Sequence, residues 1–92
     1  MIRTRFLRSF DETLKALSPQ EAARVEAAIR RLLEYFGGGE KPLGLGLSKL
    51  KRTYWEIRAG LDKRIFFSLE GDRVTFILIG NHDEIRRYLR SL

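Results

Sequence analysis

Apolar and polar positions follow two different periods along this chain, helical in its first half and alternating in its second. Residues 2 to 8, IRTRFLR, alternate imperfectly, with Ile2, Thr4 and Phe6 on one side and Arg3, Arg5 and Leu7 on the other, which predicts a short first strand. Ser9-Phe10-Asp11-Glu12 then fits a capping box, with Ser9 as N-cap, and Phe10, Leu14 and Leu17 fall on one face of a short helix. Ser18-Pro19-Gln20-Glu21 repeats that start signal more strongly, because proline at the first helical position has no N–H to leave unpaired. From there Val25, Ile29, Leu32, Leu33 and Phe36 form an apolar stripe opposite Arg24, Arg30, Arg31 and Glu34, and Gly37-Gly38-Gly39 ends the helix. Only a capped turn separates the two helices, so they are expected as a hairpin. Residues 37 to 48 read as a glycine-rich crossing to the sheet. They lack the GxxxxGK[ST] pattern of a phosphate loop.

The second half predicts strands at Tyr54 to Ala59, Arg64 to Leu69 and Arg73 to Ile79, joined by connections short enough for hairpins. Trp55, Ile57 and Ala59 share one side with Ile65, Phe67 and Leu69 of the next strand. Tyr54, Glu56 and Arg58 share the other with Arg64, Phe66 and Ser68. One side should pack on the helices while the other stays mixed and partly open. VTFILI is apolar on both sides and reads as a central strand; Asp83 to Leu92 reads as a terminal helical turn or a short helix. The expectation is a single α+β domain over residues 1–92. It would contain an N-terminal strand, a helix hairpin and a three-stranded antiparallel meander, forming one sheet with helices on one face.

Composition narrows the function. The net charge is +6, carried by 13 Arg and 5 Lys against 12 acidic residues. Guanidinium groups grip phosphate bidentately and stack on bases, which favours a nucleic acid or another acidic macromolecule as partner. With no cysteine, disulfides and thiol chemistry are excluded, and a reducing cytoplasm is the expected setting. No stretch approaches a membrane span, and no secretory leader is visible.

His82, the only histidine, is the sharpest candidate for chemistry, since its ordinary pKa lets it accept and donate protons near neutrality. It follows the central strand at a Gly-Asn turn. The plainer alternative is a surface histidine beside a helix cap. Arg64 opens a strand on the mixed side, where it can bind phosphate or pair with Glu56 on the same face. Lys49, Lys51, Arg52, Arg58 and Lys63 surround that face; with Tyr54, Trp55 and Phe66 they suit a single-stranded RNA track, although Trp55 shares its side with core residues. No GxSxG elbow, paired catalytic carboxylates or metal-like His and Cys spacing is present.

The order of elements, with LKRTYWEIRAG and KRIFFSLEGDRVTFILIGNHDEIRRYL as its most telling pieces, resembles the RelE/ParE superfamily of bacterial type II toxins over nearly the whole chain. That resemblance implies a RelE-like fold and a cognate antitoxin, acidic and partly disordered, as partner. On the RelE side it implies mRNA cleavage, ribosome-dependent or free; on the ParE side, inhibition of DNA gyrase. It would place Arg64 at the scissile phosphate, and the Gly-Asn-His-Asp run is similar to the Gly-Thr-His segment of YafQ-type toxins, whose histidine is catalytic. Lys49, Lys51 and Arg58 correspond loosely to cationic positions of the active groove. Tyr54 and Glu56 stand on the open side, where RelE proper has lysines, so either is a candidate second proton carrier. The expected activity is metal-independent endoribonuclease action that inhibits translation, without a cofactor. A gyrase inhibitor and a non-enzymatic RNA-binding module are the alternatives.

Overall fold

In the computed structural model, which describes residues 1–92, the first strand β1 (Arg3–Phe6) leads into helix α1 (Arg8–Lys15) and, after a three-residue turn, the long helix α2 (Pro19–Phe36). Four strands follow, β2 (Ser48–Lys51), β3 (Tyr54–Arg58), β4 (Arg64–Glu70) and β5 (Arg73–Gly80), and helix α3 (His82–Arg90) ends the fold. They form one five-stranded sheet in the order β1-β5-β4-β3-β2. The β2 to β5 strands are an antiparallel meander, whereas β1 lies parallel to β5 with Arg3 opposite Arg73 and Phe6 opposite Phe76.

The helix starts differ in how they are made. Ser18 caps α2 as its sequence requires: its Oγ accepts from the Glu21 N–H at 3.1 Å, and the Glu21 carboxylate accepts from the Ser18 N–H at 3.0 Å. That backbone hydrogen bond holds the Glu21 carboxyl below its ordinary value, with Lys63 and Arg24 adding smaller attractions. The capping box expected at Ser9 does not form. Leu7 is the N-cap without a side-chain bond, and Ser9 lies inside the first turn, where its Oγ donates to the Ile77 carbonyl. Thr13, one turn on, accepts from the Ile79 N–H at 3.0 Å. Past the end of β1 these two backbone groups of β5 lack a strand partner, and side chains of α1 satisfy them. A tertiary demand displaced the local cap.

Two apolar layers result. On one face Phe10 of α1 and Val25, Ala28 and Leu32 of α2 pack on Ile57, Ile65, Phe67, Val74, Phe76 and Ile79. On the other, Ile85 of α3 covers Phe66, Ile77 and Leu78. β5 lies inside the sheet between β1 and β4, as its two-sided apolar pattern demands. A bulge between Phe66 and Phe67 in the β4–β5 register leaves Ile77 as the extra residue, so Ile77 and Leu78 both face α3 while Phe76 and Ile79 face α2.

Two expectations change. The meander has four strands, because Ser48–Lys51 pairs with β3. Helices also cover both faces, so Phe66, expected on a partly open side, is fully buried beneath α3.

Candidate active site

The strand register assembles one end of the α3-bearing face. Arg58 of β3 lies opposite Arg64 of β4, which in turn lies opposite Gly80 of β5. Two guanidinium side chains therefore stand in adjacent strands of one row, and the chain leaves that row directly into α3. Asn81 fixes the departure: its side chain accepts from the Glu84 N–H and its N–H donates to the Glu84 carboxylate, both at 2.8 Å. His82 is thus the first helical residue, exposed, two positions past the partner of Arg64. Gly80 admits this cap closely, since a Cβ there would stand 3.1 Å from the Glu84 Cβ.

Arg64 is held from below. Its Nη1 donates to the Glu56 Oε2 at 2.8 Å, reaching diagonally across β3 and β4. The Glu56 side chain is only 7% exposed and the Arg64 side chain 27%. One carboxylate oxygen therefore orients the guanidinium from the sheet side, and its remaining N–H groups are left for an anion. Both sequence alternatives for Arg64 are compatible here, because the ion pair positions the group that would grip phosphate. Glu56 pairs in register with Ser48 on its other side. The backbone of Arg58 is fixed by the Leu45 carbonyl, 2.7 Å from its N–H, while its side chain is exposed. Gly46, at φ +66°, lies against it where a Cβ would come within 3.1 Å.

The other sequence candidates lie elsewhere. Tyr54 occupies the opposite end of β3, paired with Ser68, and stacks on Phe66 at 5.4 Å between ring centroids. Lys49 sits over the Trp55 ring at 5.9 Å, and Trp55 packs against the α2-side core, so this lysine belongs to the far face of the sheet. Lys51 is exposed on the edge strand, and Arg52 turns the β2–β3 hairpin at φ +54°, a left-handed conformation. Lys63 is half-buried, and its carbonyl accepts from the Ala59 N–H to close the β3–β4 connection. Arg58, Arg64, Glu56 and His82 are gathered at one end, with Lys63 directly before Arg64 in the β3–β4 connection; Tyr54, Lys49, Lys51 and Arg52 are not part of that row.

Sequence reasoning missed Tyr88. It sits edge-on to Phe66 at 5.8 Å and lines, with Arg5, Tyr54 and Arg73, a hollow of about 290 Å³. Its signal was the spacing Ile85, Tyr88, Leu89, one face of α3 turned to the sheet.

No protein-family model and no curated protein matches the sequence. Solved structures do match the fold. A chain of the RelB–RelE antitoxin–toxin complex from Methanococcus jannaschii superposes at TM-score 0.69 with 24% identity, covering 91% of this chain and 96% of that one. A chain of the Escherichia coli DinJ–YafQ complex gives 0.73 at 12% identity, covering 92% and 98%. The YoeB/ParE toxin from Agrobacterium tumefaciens gives 0.66 at 19% identity, covering 88% and 99%. The chain has the RelE-like toxin fold.

Proposed function

We propose that this protein is the toxin of a type II toxin–antitoxin pair and acts as an endoribonuclease on mRNA. The observation that carries the reading is the row Arg58, Arg64, Gly80 in register, with His82 opening α3 directly after it. It brings two arginines and the chain's one histidine to the same end of the sheet.

In this reading the RNA 2′-oxygen attacks the adjacent phosphorus. A 2′-O–P bond forms as the P–O5′ bond breaks, leaving a 2′,3′-cyclic phosphate and a 5′-hydroxyl. One proton leaves the 2′-hydroxyl and one is delivered to the departing 5′-oxygen. His82 is exposed, and its imidazole is assigned one of these transfers. Arg64, oriented by Glu56, stabilises the added negative charge of the phosphorane. Arg58 holds the neighbouring backbone. Glu56 is committed to Arg64, and Tyr54 and Tyr88, which pack on Phe66, are the phenols of the α3-bearing face left for the second transfer. No step calls for a metal. The partner of the resting protein is an acidic antitoxin segment, for which a +6 chain is the electrostatic complement. Ribosome association belongs to the same proposal.

The test is His82→Gln, which keeps polarity and approximate size but carries no proton near neutrality. Expressed without antitoxin, the variant should accumulate, and mapped transcript 5′ ends should fall by about 10²- to 10⁴-fold against the parent. Undiminished cleavage would remove His82 from the chemistry. Toxicity that persists with intact transcripts and lost gyrase supercoiling would replace the ribonuclease reading by gyrase inhibition.

A further inference from the structure

Besides the row just described, three arginines line a pocket of about 330 Å³ between α2 and the β3–β4 connection. Arg24 and Arg31 enter it from α2 and Arg58 from β3, over a floor of Ala27, Ala59 and Gly60. None of the residues lining it carries a carboxylate. Arg24 and Arg31 are seven positions apart, two helical turns, and so share a face. The small floor leaves room between them: a Cβ at Gly60 would already stand 3.5 Å from the Arg24 Cδ. Arg31 is steadied by donating to the Leu43 carbonyl, and none of the three is in an ion pair. Glu21, the acid that attracts Arg24, has its carboxylate engaged by the Ser18 N–H.

Three guanidiniums converging from two elements repel one another, and an anion bound between them relieves that repulsion. Arg58 is the link. It lines this pocket and is also the register partner of Arg64, so the pocket, on the α2 side, opens at the same end of the sheet as the row in which cleavage is placed. We propose that the pocket binds a backbone phosphate of single-stranded RNA, adjacent to the phosphate held at Arg64. The inference rests on the ribonuclease reading and names where its substrate's flanking strand runs. Sharing Arg58 with the end of the sheet that carries Arg64 favours an RNA strand over the carboxylates of an acidic peptide.

The experiment measures binding of a short labelled oligoribonucleotide by fluorescence anisotropy across a range of KCl concentrations. The protein carries His82→Gln throughout, so that the probe stays intact. Each phosphate contact on a single strand contributes about 0.7 to the slope of log affinity against log salt. Adding Arg24→Gln and Arg31→Gln should weaken binding and reduce the slope by about 0.7 to 1.4. Removing the same charge at Lys15 and Arg30, away from the pocket, should move the slope by less than half as much. Circular dichroism verifies that both variants fold.

Equal slopes for the two charge-matched variants would overturn the pocket as a phosphate site. So would an unchanged RNA slope accompanied by lost binding of a polyglutamate peptide, which would assign the pocket to an acidic protein segment. If the parent cuts transcripts but does not bind the oligoribonucleotide, the pocket proposal fails and the cleavage reading stands. A parent that neither cuts nor binds RNA overturns both.

Discussion

Arg64 and Glu56 tie stability to the proposed chemistry at a single contact. Removing the arginine strands a carboxylate that is only 7% exposed. Losing one partner of such a pair costs about 3 kcal/mol. Arg64→Ala should therefore lower the urea midpoint as well as activity, and a loss of toxicity in that variant alone would not identify a catalytic arginine. Arg64→Ala combined with Glu56→Gln neutralises the stranded acid and should recover much of the stability while cleavage stays low; denaturant melts beside transcript mapping separate the two effects. If cleavage returns with stability, Arg64 has only a structural role. A second residue-scale expectation concerns Glu21, whose carboxyl lies below its ordinary value of 4.5, chiefly through the Ser18 N–H. A depressed folded-state value gives stabilisation present above 4.5 and lost as pH falls through the lower folded value. The difference in melting temperature between the parent and Glu21→Gln should thus be largest near neutrality and close in acid. A gap that widens on acidification would contradict the capping assignment.

Among the elements, α3 matters most to the site because its start sets the imidazole. Asn81→Ala removes the side-chain half of the cap, leaving the backbone N–H to the Glu84 carboxylate, and should cost about 1 kcal/mol, or roughly 4–8 °C in a domain of this size. Cleavage should fall further than that loss of stability explains, since His82 is the residue the cap places; differential scanning calorimetry with a cleavage assay on the same preparation checks it. The helices with repeating apolar stripes and the strands with alternating ones were legible from the chain, as were the Ser18 cap and the central position of VTFILI. β2 was not, because SKLK offers one apolar residue, Leu50, and its strand character comes from pairing with β3. Nor was the Ser9 hydroxyl's true acceptor, a carbonyl 68 residues away. The site was legible by residue type and illegible by position. Period-two reasoning put Tyr54, Glu56, Arg58 and Arg64 on one face correctly, but only register shows that Arg58 meets Arg64 while Tyr54 stands at the other end. Arg24 and Arg31 read as the solvated side of a helix, and nothing in their spacing announces a third arginine opposite.

At the scale of the whole molecule, β5 is the shared wall of both apolar layers, with Phe76 turned to α2 and Ile77 and Leu78 to α3. Neither layer has a separate floor, so the two should melt together. Near-ultraviolet and far-ultraviolet dichroism are expected to trace one coincident transition. Phe76→Ala, which removes a fully buried ring stacked with Phe6 at 5.0 Å, should move that transition as a unit at a cost of about 3–5 kcal/mol. Separate transitions would mean that α3 unfolds by itself. The parallel seating of β1 against β5 carries one more consequence, in time rather than space. Arg3–Phe6 is made before α1, α2 and three strands, yet its hydrogen-bonding neighbour is Arg73–Gly80, so on the ribosome β1 must wait for all of them to emerge. The row containing Arg64 gains its third strand at that same moment, and His82 arrives two residues later. A nascent copy interrupted before residue 80 has neither a closed sheet nor an imidazole, and a cell translating this message meets the finished surface only once synthesis has passed that point.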